Sequence, residues 1–325
     1  MTLGIKVNTH GKARSLGFSL FYAMLSLGYF AGGPFVDYVR AYMPETHLTV
    51  NGIHYKVSAY RLIFLVGFLQ TLLSFLLISC FYRDRKHVVP RPTQIGCLTM
   101  LREVTTDCKF WLFLFFSVIT IGMKMIFNML SLLLPKILLG EFGSDAPFGI
   151  ILSACPLMVV VFLFLTAPCT LNLGSYTQIT IGAFFTTISP TALLFGPPLT
   201  YPHLLIFLAL LSLGEALSSP KIYSITFDFA RPGREGMFLA LSAAPFYLTM
   251  GVSGGVSGWL LDKYYPAKVE DRQTDYIWVT LIVASGISLI LLILFRPCFT
   301  NKSKDSKGTS EISSEEGEEG SDKND

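Results

Sequence analysis

A single lysine lies in the middle of an apolar stretch long enough to cross a membrane. Lys124, in the sequence "IGMKMIFNML", is separated from Lys109 by fourteen uncharged residues and from Lys136 by eleven. An ionised side chain at the centre of a bilayer costs about 2.5–3.5 kcal/mol on insertion scales. Lys124 is therefore expected to face a cavity or an oppositely charged partner rather than lipid.

Polar side chains recur around this lysine with the period of an α-helix. Ser117, Thr120, Lys124, Asn128 and Ser131 are spaced by 3, 4, 4 and 3 residues. This spacing places all five on one helix face. The polar face predicts contact with water or with another polar helix.

A second apolar stretch contains a carboxylate at a comparable depth. Glu215 lies fourteen residues after Tyr201, with Ser219 one turn further on and Tyr223 on roughly the same side. Lys221 is nearer the end of the stretch, where a lysine can extend its ammonium group to the membrane surface.

Two interpretations of Lys124 and Glu215 are open. In one, they form a buried ion pair that fixes how the helices pack. In the other, they line a pathway for a solute or a proton, with Asn128, Ser131, Ser219 and Tyr223 as supporting polar contacts.

The composition is that of an integral membrane protein. Of the 325 residues, 52% are hydrophobic and 14% are charged, and the mean hydropathy is +0.55. A soluble domain could not bury so much apolar surface. The sequence shows no strong basic patch for nucleic acid, no catalytic constellation and no metal-ligand spacing, so neither an enzyme nor a cofactor is expected.

Hydropathy divides the chain into eight segments of membrane-spanning length and predicts an all-α polytopic bundle. We expect a two-helix region at 1–82, a cytoplasmic linker at 83–108, a six-helix bundle at 109–297 and a disordered acidic tail at 298–325. The predicted segments are residues 15–37, 58–82, 109–135, 146–168, 174–196, 201–225, 235–261 and 275–297.

The distribution of Lys and Arg predicts the orientation. Eight crossings place both termini on one side, and that side holds sixteen Lys and Arg residues against seven on the other. Positive charge is enriched in cytoplasmic loops, so both termini are expected in the cytoplasm.

Glycines spaced four residues apart predict close helix packing in two segments. One segment holds Gly28 and Gly32, and the other holds Gly251, Gly254, Gly255 and Gly258.

Three stretches resemble the major facilitator superfamily. Residues 212–266, "SLGEALSSPKIYSITFDFARPGREGMFLALSAAPFYLTMGVSGGVSGWLLDKYYP", are similar to helices ten and eleven of its proton-dependent oligopeptide transporter-like branch. The span "GFSLFYAMLSLGYFAGGPFVD" resembles the fifth helix of the superfamily, and "GMKMIFNMLSLLLPKILLGEFGSDAPFGIILSACP" resembles helices seven and eight.

The resemblance implies a secondary transporter of small organic solutes that works by alternating access, with protons as a candidate coupling ion. It implies that the eight helices correspond to helices five to twelve, so that the chain is truncated at its N-terminal side. Glu215 would match the helix-ten glutamate of the branch, which is associated with substrate binding and gating. Lys124 departs from the acidic residue often found on helix seven. The alternative is a truncated, non-transporting membrane protein that binds or regulates a full-length relative.

Overall fold

The computed structural model describes residues 12–43, 45–50, 53–81, 106, 108–143, 146–170, 173–194, 199–229, 235–266, 268, 272–297 and 299. The predicted linker lies almost entirely outside these residues, and so does the predicted disordered tail except for one position.

The described chain is mainly helical, and its elements follow the apolar segments. They are α1 (Lys12–Tyr42), β1 (Glu45–Val50), β2 (Ile53–Ser58), α2 (Ala59–Phe81), α3 (Cys108–Ile119), α4 (Ile121–Phe142), α5 (Phe148–Thr170), α6 (Ser175–Ile188), α7 (Thr191–Leu194), α8 (Tyr201–Phe229), α9 (Glu235–Tyr264) and α10 (Thr274–Leu294).

Six described helices have the length and hydropathy needed to cross a bilayer, which supports a multi-pass membrane protein. The count of eight crossings stays a prediction. The six spans are Leu16–Tyr42, Ala59–Phe81, Ile121–Phe142, Phe148–Thr170, Tyr201–Ile225 and Thr274–Leu294.

A two-stranded β-hairpin, which the sequence analysis did not predict, lies between α1 and α2 of the otherwise helical described chain. Strands β1 and β2 pair antiparallel, with Glu45 opposite Ser58 and Val50 opposite Ile53. The sequence between the two helices, "ETHLTVNGIHYKVS", alternates β-branched, leucine or tyrosine residues with polar ones around an Asn-Gly pair, which is a strong hairpin signal. The prediction missed it because it was based on hydropathy at the length of a membrane helix.

The helix that carries Lys124 has a slight irregularity one turn before that residue. Thr120 separates α3 from α4, yet its amide donates to the Phe116 carbonyl at 3.1 Å and its own carbonyl accepts from the Lys124 amide at 3.1 Å. The Thr120 hydroxyl donates to the Ser117 carbonyl at 2.8 Å, a local bond that competes with regular helix geometry. The two helices therefore run on as one interrupted rod that positions Lys124.

Helix α8 occupies the centre of the described bundle. It packs against α1, α5 and α6, while α4 packs against α9 and α10. Large apolar residues such as Leu133, Leu208 and Trp278 form a shared core between α4, α8 and α10. By contrast, Ala59 at its start is the only buried residue of α2, which leaves the rest of that helix to face lipid or another membrane segment.

The far end of α1 is fastened to the start of α5. A Cβ atom on Gly33 would come within 2.2 Å of the Gly149 carbonyl oxygen, so the two backbones are in direct contact. One turn further along α1, Asp37 Oδ2 accepts the Ile150 amide proton at 2.8 Å. This carboxylate satisfies one of the amides that the first turn of a helix leaves without an intrahelical partner.

The ends of α4 and α9 meet on the side predicted to face away from the cytoplasm. The Tyr265 hydroxyl donates to Glu141 Oε1 at 2.9 Å and lies 3.4 Å from the Ile137 carbonyl oxygen. Arg272 forms an ion pair with Glu141 at 3.2 Å. Burial and the neighbouring Glu141 carboxylate raise the pKa of Tyr265 above its ordinary value. These contacts fix the register of α9 along α4.

Within the described residues, no neighbouring helix packs closely against the glycines on which the prediction was made. A Cβ atom on any glycine of the two predicted patterns would meet nothing within 4 Å in the described chain. Other glycines make the close approaches, among them Gly182 on α6 and Gly214 on α8, each within 2.7 Å of the other's carbonyl oxygen when a Cβ is added. Glycine spacing shows which helix face could approach a neighbour, but not whether a neighbour is present.

Candidate functional site

Lys124 and Glu215 meet in the interior of the bundle. The Lys124 ammonium lies 2.8 Å from Glu215 Oε1 and 3.0 Å from Oε2, so one donor contacts both oxygens of the carboxylate. The residues are 91 positions apart, on α4 and α8. The tertiary fold therefore pairs two charges that the sequence had placed at similar depths on separate helices.

Two hydroxyl groups complete the environment of the carboxylate. The Tyr22 hydroxyl, from α1, donates to Glu215 Oε1 at 2.5 Å. Ser219, one turn after Glu215 on α8, donates to the same oxygen and also contacts the Lys124 ammonium. Three helices thus contribute to one cluster, which we call the charge cluster: Tyr22, Lys124, Glu215 and Ser219.

The charge cluster is buried, but not equally at its two charged ends. The Glu215 side chain is 6% exposed and the Lys124 side chain is 18% exposed. A buried carboxylate is tolerated when it is both paired with a cation and hydrogen-bonded. Glu215 meets both conditions. The neighbouring Lys124 side chain is partly accessible to solvent.

Of the four residues predicted to support the charges, one lies in the cluster, one contacts it and two lie beyond it. Ser219 bonds Glu215 directly, and the Tyr223 ring lies 6.3 Å from the Tyr22 ring, centroid to centroid. Asn128 lies one turn beyond Lys124 on α4, and Ser131 is an exposed residue about 10 Å along that helix from Lys124.

Tyr22 is the member of the cluster that sequence reasoning missed. Its segment, "FYAMLSLGY", has no charge, although Tyr22, Ser26 and Tyr29 are spaced by 4 and 3 residues and so share one helix face. A hydroxyl inside an apolar span was the available signal, because a buried tyrosine hydroxyl usually finds a partner. That signal does not say which partner.

Lys221 does not lie at the charge cluster. It is half-buried and lines a small cavity with Ser19 on α1, Thr166 on α5 and Gln178 on α6. Being six residues after Glu215, it is about 9 Å further along α8. The predicted location of Lys221 near the cytoplasmic end of the helix stays a prediction.

The described structure is a bundle of membrane-length helices with a buried, tightly partnered pair of opposite charges, and this combination is typical of polytopic transport proteins. Residues 114–319 match the family model of the Major Facilitator Superfamily. The match covers more than half of the chain, and the chain therefore belongs to that superfamily of membrane transporters. A search of curated proteins found no match.

Proposed function

We propose that this chain acts as a secondary transporter of small organic solutes by alternating access, with the charge cluster at the centre of the pathway. The observation that carries the proposal is the contact of Lys124 with both oxygens of Glu215, with Tyr22 bonded to one of them. The contact joins three helices at a buried point, so any solute group or proton that replaces one partner changes how the helices are held together.

The two charges give the cluster a defined chemistry. A solute cation competes with Lys124 for the Glu215 carboxylate, and a solute anion competes with Glu215 for the Lys124 ammonium. Protonation of Glu215 removes the charge that holds Lys124 and provides a route to proton coupling. The resemblance of residues 212–266 to the oligopeptide transporter-like branch supports this role for Glu215.

Uptake by the purified full chain in liposomes tests the proposal. A suitable panel covers the charge classes: labelled glucose, glutamate, choline and alanine, each at two external pH values. We expect at least one solute to accumulate in the wild type and its uptake to fall at least tenfold in both Glu215→Gln and Lys124→Met. Lys263→Met is the matched control, because that lysine is exposed, lies outside the charge cluster and is placed over two aromatic rings of its own helix, Trp259 and Tyr264. Unchanged uptake in both cluster variants would contradict the proposal.

A non-transporting partner of a related protein is the second candidate. The observation in its favour is the uncovered surface of α2 and of the glycine face of α9, where another membrane helix could pack. The same liposome experiment separates the two functions. The second candidate predicts no uptake by the chain alone and uptake that depends on co-reconstitution with a full-length superfamily member.

A further inference from the structure

We propose that Asn128 and Ser253 form a neutral polar subsite beside the charge cluster, and that this subsite binds an uncharged oxygen, a hydroxyl or a carbonyl, of the transported solute. This inference rests on the proposed function and adds a solute class to it. The solute would carry one charged group and one neutral oxygen.

Asn128 has a side-chain donor without a protein partner. Its Nδ2 atom is buried, and no described protein group lies within hydrogen-bond distance of it. A buried donor without a partner costs about 1–3 kcal/mol. The sequence retains it one helical turn from Lys124, where an isosteric leucine would remove that cost.

Ser253 is a second such group, on a different helix. Its side chain is completely buried and its hydroxyl oxygen has no partner among the described residues. Ser253 is seven residues before Leu260, so both lie on the same face of α9. Leu260 belongs to the apolar core that α9 shares with α4, α8 and α10, and α9 packs against α4, so Ser253 lies on the core-facing side of α9.

The two groups lie at about the same depth. Helices α4 and α9 pack against each other and end together where Tyr265 contacts Ile137 and Glu141. Asn128 precedes Ile137 by nine residues and Glu141 by thirteen, and Ser253 precedes Tyr265 by twelve. At 1.5 Å per residue, the two orphan groups are level to within about one helical turn.

The contrast with the charge cluster indicates what this subsite binds. In the cluster, Lys124, Tyr22 and Ser219 already donate to Glu215, whereas the amide of Asn128 has a donor to offer. Asn128 is neutral, so it selects an acceptor oxygen without demanding charge. Its distance of about 6 Å from Lys124 along the helix sets the spacing of the two groups on the solute.

Stability of the purified full chain in detergent gives the first test. Asn128→Leu and Ser253→Ala are expected to leave the unfolding temperature unchanged or to raise it, because each removes an unpartnered polar group. Residues at binding sites often show such a gain in stability when substituted. A lowered unfolding temperature in both variants would mean that these groups have structural partners, and it would overturn the inference.

Binding of matched probes gives the second test. Hexanoate and 6-hydroxyhexanoate differ by one neutral oxygen, and hexylamine and 6-amino-1-hexanol form the corresponding cationic pair. We expect the hydroxylated member of one pair to bind the wild type about five- to tenfold more tightly, the factor that one neutral hydrogen bond supplies. Asn128→Leu should make the two members of that pair equal.

The outcomes separate the subsite from the proposed function. Equal affinities within both pairs in the wild type, or a preference that survives in Asn128→Leu, overturn the subsite, and so does an absence of binding by all four probes. If the pairs are equal but Lys124→Met or Glu215→Gln still abolishes binding, the charge cluster stands and only the subsite is lost. If neither variant changes binding, the proposed function fails as well.

Discussion

Replacing Lys124 with methionine should destabilise the protein strongly, because it removes the cation from a buried carboxylate. The Glu215 side chain is 6% exposed, and Tyr22 and Ser219 would remain as its only donors within the charge cluster. Breaking a buried pair on one side costs about 3–5 kcal/mol, because the other charge stays uncompensated. Protonation of Glu215 would limit the loss, so the lower end of this range is expected.

Replacing Glu215 with glutamine should lower the free energy of unfolding less than replacing Lys124 does. In Glu215→Gln, the amide oxygen can still accept from Tyr22, and Lys124 has 18% of its side chain exposed, so water can solvate part of its charge. The expected loss is about 1–3 kcal/mol, the usual range for an imperfectly satisfied polar group. The double variant contains neither charge and should be more stable than the sum of the two single losses predicts.

A double-mutant cycle measures this difference. The free energy of unfolding is obtained for the wild type, both single variants and the double variant, by SDS titration of the purified protein in lipid micelles, with Lys263→Met as the control for loss of a lysine. We expect a coupling energy of about 2 kcal/mol or more. Single losses that add in the double variant to within about 0.5 kcal/mol would refute the reasoning, because independent sites show that behaviour.

Three further predictions concern helix contacts and pH. Gly33→Ala should lower the free energy of unfolding by about 1–3 kcal/mol, because its Cβ would overlap the backbone of α5. In the control Gly28→Ala, the added Cβ meets nothing within 4 Å, so the free energy of unfolding should stay the same or rise slightly. Equal changes in the two variants would contradict the close packing of α1 against α5. Asp37→Ala should cost about 0.5–2 kcal/mol by removing the carboxylate that accepts an amide of the first turn of α5, whereas Asp37→Asn should cost less; thermal unfolding of the three proteins checks the order. The folded-state pKa of Tyr265 is raised, so its hydrogen bond to Glu141 should be fully present below about pH 10 and be lost as the pH rises further. The free energy of unfolding of Tyr265→Phe should therefore decline less steeply above that pH than that of the wild type. Identical declines in the two proteins would argue against the bond.

The sequence determined the class of protein and placed its two charges well inside segments of membrane-spanning length. Apolar runs of membrane length predict helices because the bilayer core demands internal hydrogen bonding and a fixed minimum length. The 3.6-residue period placed Lys124 and Asn128 on one helix face, and Glu215 was recognisable because a carboxylate is costly in such a segment. These inferences depend only on local spacing and on the solvent that surrounds the helix.

The sequence carried a hairpin signal that the hydropathy argument did not use. The Asn-Gly pair between β1 and β2 was readable in advance, so this miss is one of interpretation. The glycines of α9 are a different case, because their spacing permits close packing but the neighbour that would use it is not specified locally.

Only the tertiary structure decided which groups meet. Pairing between residues 91 positions apart depends on how α4 and α8 cross, and the arrival of Tyr22 at Glu215 depends on the packing of α1 against α5 and α8. Among the described residues, the tertiary fold also left the Asn128 Nδ2 atom without a partner and Ser131 exposed, although the helical period had given both the same face. A helical period fixes the direction of a side chain relative to its own axis, whereas its partners are set by helices that are distant in sequence.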